Sequence, residues 1–97
     1  MVLKRNMIYA ICRDGKSNDI KIFYDLGGKC KDVEFKNIRL SNGLIVSAEV
    51  CGGRVKYLEI RNTSQENITK IIDVNPLYKG IKKHAIIING LSMVTLE

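Results

Sequence analysis

The sequence predicts an all-β protein, a two-layer antiparallel β-sandwich of about seven to nine short strands. Apolar residues come in runs of five to eight, rich in Ile, Val, Tyr and Phe, the types that suit a pleated, half-buried surface. Clusters of Gly, Asn, Asp and Ser separate the runs about every ten residues, the spacing of antiparallel hairpins. No window holds an i, i+3, i+4, i+7 apolar pattern long enough for a helix of ten residues or more.

The strands are expected at residues 7–12, 20–26, 33–40, 44–51, 55–61, 67–74, 84–89 and 91–96. Between the first two lies the polar stretch 13–19, read as the longest loop of the front half. Two glycine turns fix the middle. Asn42-Gly43 and Gly52-Gly53 supply the positive φ of tight hairpins, so strands 33–40, 44–51 and 55–61 should meander. A two-residue Gly52-Gly53 loop pairs Val50 with Val55, Glu49 with Lys56 and Ala48 with Tyr57. Leu58 and Ile60 then fall on the wrong face, and one extra residue near Tyr57-Leu58 would return them to the core as a bulge.

Pro76 is the only proline; it lacks the N–H that a ladder needs, so it ends the strand before it and opens a loop of about six to nine residues. The run Ile86-Ile87-Ile88 is continuous, as in a strand buried on both sides, at the centre of a sheet or at a sheet–sheet contact. Alternation places Phe35, Ile38, Leu40, Leu44, Val46, Val50, Val55, Ile60, Ile71, Ile86, Ile88 and Val94 in the core.

Ninety-seven residues, 45% hydrophobic and 27% charged, fit one domain spanning the whole chain, because separate cores arise only beyond roughly 250 residues. The closing Leu96-Glu97 matches what a common restriction-site junction encodes, which fits a domain cut from a longer chain. No apolar stretch approaches the ~20 residues of a membrane-spanning helix, and no membrane role is expected. Cys12, Cys30 and Cys51 form neither a C-x-x-C pair nor an even disulfide set, so reduced thiols in a cytoplasmic setting are expected, Cys12 and Cys51 as packing residues at strand ends, and a structural metal is not. Asn62-Thr63-Ser64 and Asn67-Ile68-Thr69 match the glycosylation pattern, as chance allows in a chain rich in these residues.

Chemistry is sparse. His84 is the only histidine and follows Lys82-Lys83 at a strand start, an exposed position without an orienting partner. Glu34, Glu49 and Glu59 read as the polar alternates of half-buried strands. Neither glycine pair belongs to a phosphate-binding motif leading into a helix. The expectation is therefore no catalytic residue, no cofactor and no metal site. Among the six aromatics, Tyr24 and Tyr78 are the candidate ligand surface, Tyr24 because it and Phe23 should face opposite sides of one strand. Sixteen basic against ten acidic residues give a net charge of +6, dispersed without a polybasic run.

The stretch 33–61 carries a resemblance. Asn42-Gly43-Leu44-Ile45-Val46, then Gly52-Gly53-Arg54-Val55, then Leu58-Glu59-Ile60-Arg61-Asn62 resemble the C-terminal β-sandwich of fucosidase-type glycoside hydrolases. In that family the catalytic acids lie on a separate helical domain, so the resemblance implies a non-catalytic accessory module of a carbohydrate-active enzyme. It would pack against another domain or protein, with carbohydrate as a candidate ligand. The alternative is a small basic β-barrel that binds single-stranded nucleic acid through a positive groove and stacking aromatics.

Overall fold

A computed structural model describes residues 12–24 and 31–96. Its strands are β1 (Cys12–Asp14), β2 (Asp19–Ile22), β3 (Val33–Arg39), β4 (Leu44–Cys51), β5 (Arg54–Asn62), β6 (Ile68–Val74), β7 (His84–Ile88) and β8 (Met93–Leu96). They form two four-stranded sheets, β1-β2-β6-β7 and β3-β4-β5-β8, whose apolar faces meet as a two-layer β-sandwich. Of the expected runs, residues 7–11 of the first and 25–26 of the second lie outside the described residues, as does Cys30; Cys12 begins β1.

The middle of the chain follows the hairpin logic. Leu40 N–H donates to Leu44 O across a three-residue turn (2.8 Å), where Asn42 and Gly43 both take positive φ. Gly52 and Gly53 take φ of 60° and 78° between the partners Cys51 and Arg54, a tight two-residue turn. The bulge in β5 is present, one residue earlier than expected. Glu49 pairs with Tyr57 and Ala48 with Leu58, not with Lys56 and Tyr57. Lys56 is the extra residue, and Leu58 and Ile60 are fully buried as a result. A second irregularity in β3 sets Phe35 opposite Ala48 and Ile38 opposite Val46, so two residues three positions apart both face inward. Asn37 takes φ 58° there and donates its N–H to Ser47 Oγ (2.9 Å), which satisfies a donor that the interrupted ladder releases.

Four readings of the sequence need correction. Arg13 and Asp14 belong to β1, not to the loop, which shrinks to residues 15–18. The sheets are not wholly antiparallel: β2 and β6 run parallel, because the chain crosses to the other sheet for β3, β4 and β5 before it returns. β7 is an edge strand among the described residues, with Ile87 65% exposed; three isoleucines in a row signalled a sheet centre and found an open border. Cys51 is exposed rather than packed.

Of the expected core, Phe35, Leu44, Val46, Val50, Val55, Ile60 and Ile88 are buried. Ile38, Leu40, Ile86 and Val94 pack half-buried against it. Ile71 is half-buried on the other face of β6, since its neighbour Ile72 is the one that points inward. Ile20, Ile22 and Phe23 complete the core from the first sheet. Cys12 is buried, and desolvation together with the Asp14 carboxylate pushes its thiol up to about 12, so it stays protonated and inert. Asn62 is buried with its amide nitrogen donated to Glu66 O (2.7 Å) and Ile88 O (3.1 Å), a position closed to glycosylation.

Candidate functional site

The end of β2 turns abruptly. Phe23 adopts φ 64°, a left-handed conformation that costs a bulky side chain free energy and persists only when its surroundings impose it. Those surroundings are visible. Its ring is buried between Phe35 (centroids 5.6 Å apart) and Tyr78 (5.3 Å). Asn75 clamps the backbone: its N–H donates to Ile22 O (2.9 Å), and its side-chain amide donates to Phe23 O (3.0 Å) and Tyr24 O (3.3 Å). Asn75 Oδ1 also accepts the Leu77 N–H (3.0 Å), forming the Asn-Pro turn that launches the β6–β7 loop.

Beyond Phe23, Tyr24 lies over an ionic cluster. Parallel pairing sets Lys21 opposite Asp73. Lys21 Nζ is 2.7 Å from Asp73 Oδ2 and 3.2 Å from Asp19 Oδ2, and Tyr24 donates its hydroxyl to Asp73 Oδ1 (2.7 Å). Lys83 Nζ approaches Asp73 Oδ2 at 3.9 Å. Both carboxylates are almost fully buried. Burial pushes the Asp73 carboxyl up, but the hydrogen bonds from Lys21 and Tyr24 outweigh it and hold its pKa below the ordinary value. Asp19 is likewise held down against its own desolvation by Lys21 and the Ser17 N–H. Lys21 is raised chiefly by its bonds to Asp73 and Asp19, and Tyr24 is raised by its bond to Asp73. All four keep their usual charge states at neutral pH.

The β6–β7 loop, residues 75–83, then crosses to the second sheet. Lys79 N–H donates to Gly53 O (3.0 Å) and Lys79 O accepts the Val55 N–H (2.8 Å), so the loop is pinned to the β4–β5 turn. Gly80, at φ 115°, passes so close to Val55 O that a Cβ would stand 3.2 Å from it. Between loop and sheet lies an open cleft of about 620 Å³, within the range of ligand-binding clefts. Tyr24 and Asp73 lie at one side, and Val74, Pro76, Tyr78 and Ile81 supply an apolar wall. Arg54, Lys79, Lys82 and Lys83 supply cations.

Both tyrosines singled out from the sequence therefore come together at this cleft. They are not equivalent: Tyr24 is half-buried, whereas Tyr78 is only 3% exposed and its ring packs on Phe23. His84 is exposed, with Nδ1 2.6 Å from Lys82 O. Among the described residues no group of three His, Cys, Asp or Glu side chains gathers as a metal site requires. Asp73, Asn75 and the loop cations escaped the sequence reading. A signal existed for the first: Lys21 interrupts Ile20-Lys21-Ile22 and Asp73 interrupts Ile72-Asp73-Val74, charges of opposite sign in two apolar runs.

Compared with family models, with curated proteins and with solved structures, the chain matches none.

Proposed function

We propose that this chain is a non-catalytic interaction module whose β6–β7 cleft holds an anionic partner. The observation that carries this reading is the imbalance of charge along the cleft. Asp73 is already ion-paired with Lys21 and Lys83 and accepts the Tyr24 hydroxyl, while Arg54, Lys79 and Lys82 have no carboxylate partner among the described residues. Cations rimming an apolar cleft attract and orient an acidic ligand. The same saturation argues against turnover: an Asp73 that accepts hydrogen bonds from Lys21 and Tyr24 and stays ionised is a poor general base. The fucosidase-type resemblance points the same way, to an accessory domain that binds or packs and leaves chemistry to another.

Titration with poly-L-glutamate and with a neutral oligosaccharide tests the reading. Poly-L-glutamate should bind, and more weakly as salt rises. Lys79→Glu with Lys82→Glu should weaken it at least about tenfold. Lys16→Glu, on the β1–β2 turn, should change it far less although it alters net charge in the same sense. Preference for the neutral sugar, or equal loss in all the charge variants, would overturn the assignment.

A further inference from the structure

We infer that the occupant of the cleft is an acidic peptide segment anchored by one bulky aliphatic side chain; the inference rests on reading the cleft as an anion site and adds the class of partner. Three anionic partners fit the cations alone: an acidic polypeptide, a single-stranded nucleic acid and an acidic polysaccharide. The apolar wall separates them.

A nucleic acid held without base-specific contacts relies on stacking each base on an aromatic face. Most of the aromatic surface here is already engaged. Phe23 is fully buried and Tyr78 nearly so, each packed on the other. Tyr24 carries the Lys21 ammonium 4.8 Å from its ring centroid, so one face of this half-buried ring is taken by a cation. Sugar stacking loses the same surface.

What remains accessible is aliphatic. Pro76 and Ile81 line the cleft, Pro76 exposed and Ile81 only half-buried, so a branched side chain entering here gains burial that the protein's own residues leave incomplete. The unpaired cations stand on either side of Ile81 along the chain, Lys79 with its bridged neighbour Arg54 before it and Lys82 after it. An apolar residue seated against Ile81 would have carboxylates flanking it toward both sides, the pattern of an acidic segment interrupted by one leucine or isoleucine. The cleft is also held open by the backbone, since Lys79 is fixed at both N–H and C=O to the β4–β5 turn, so the peptide need not order the loop itself.

Fluorescence anisotropy with three labelled probes tests this: a short glutamate-rich peptide with one central leucine, the same peptide with glutamine at that place, and an oligothymidylate of matched charge. The leucine peptide should bind about tenfold tighter than its glutamine twin, as burial of one aliphatic side chain predicts, and tighter than the oligothymidylate. Ile81→Ala should erase the leucine preference and leave the glutamine peptide unchanged. Equal affinity for the two peptides, or tighter binding of the oligothymidylate, overturns the peptide assignment while the anion site stands. If none of the three binds at low salt, the anion site itself falls.

Discussion

The two sheets of the sandwich are assembled by different physics. In one, β3, β4 and β5 are joined by tight turns, and the inward residues Leu44, Val46, Ala48, Val50, Leu58 and Ile60 are all apolar and buried. In the other, β2 must wait for β6, and its key contact joins Lys21 to Asp73 across 52 positions. The buried charges among the described residues, Asp19, Lys70 and Asp73, all belong to this second kind of sheet. Local pairing needs little loop-closure entropy and can rest on hydrophobic burial. The distant pairing is made specific by opposite charges that find one another, and the cleft grows from the same place.

The difference can be broken experimentally, first where burial dominates. Ile60→Ala removes a fully buried side chain and should cost about 2–5 kcal/mol in urea unfolding, by the same amount at every pH where the protein folds. A loss below about 1 kcal/mol would place Ile60 outside the core.

The ionic sheet should answer differently. Asp73→Asn is expected to cost about 1–3 kcal/mol near neutrality, less than removal of a wholly buried pair because Lys21 is partly exposed. Asp73 and Asp19 have folded pKa values below the ordinary 3.8, so their stabilisation is complete above that value and is lost as pH falls through the lowered ones. Lys21 is raised above 10.5; its share is complete below 10.5 and is lost on passing the raised value. These shifts describe one cluster and are counted once. The deficit of Asp73→Asn should therefore be flat between roughly pH 5 and pH 9 and shrink as acid removes the charge from the parent protein. A deficit that stays constant down to pH 2 would mean that Asp73 acts by shape alone.

Legibility in the sequence follows the same division. Turn chemistry at Asn42-Gly43 and Gly52-Gly53 is a local property, so three strands, their order and the presence of a bulge were readable. The parallel partner of β2 was not, because Ile20-Lys21-Ile22 alternates as well against one neighbour as another. β7 was misread because exposure of Ile87 depends on what lies beside it, which a run of isoleucines cannot encode. At the cleft, Tyr24 and Tyr78 could be named as aromatics, but not the left-handed Phe23 that buries one and half-buries the other. The clamp that imposes this turn, Asn75, looks in sequence like any residue before a proline.

Smaller effects probe the hairpin sheet itself. Gly52→Ala places a side chain in open space, with no atom within 4 Å of its Cβ, at φ 60°. Its cost is therefore backbone conformation alone, about 1 kcal/mol, and Gly52→Asn should recover most of that because asparagine tolerates the left-handed region. Equal losses for the two would mean that the turn is not held at positive φ.

The smallest effect expected comes from the most drastic-looking change. Lys56 is the residue that β5 inserts between Val55, opposite Val50, and Tyr57, opposite Glu49. Removing it closes the ladder without moving any other pair: Ala48 keeps Leu58, Val46 keeps Ile60, and every inward residue stays inward. Lys56 itself is exposed, and its ion pair with the half-buried Glu49, at 3.7 Å, is a surface pair of a kind worth about 0–1 kcal/mol. Deletion of Lys56 should therefore shift the urea midpoint by no more than about 1 kcal/mol in stability, the scale of one net hydrogen bond. Deleting Glu59, three residues on, should instead unfold the chain, because Arg61 would take the inward place of Ile60. If the two deletions destabilise alike, the extra residue in β5 is not Lys56, and the burial of Leu58 and Ile60 must have another cause.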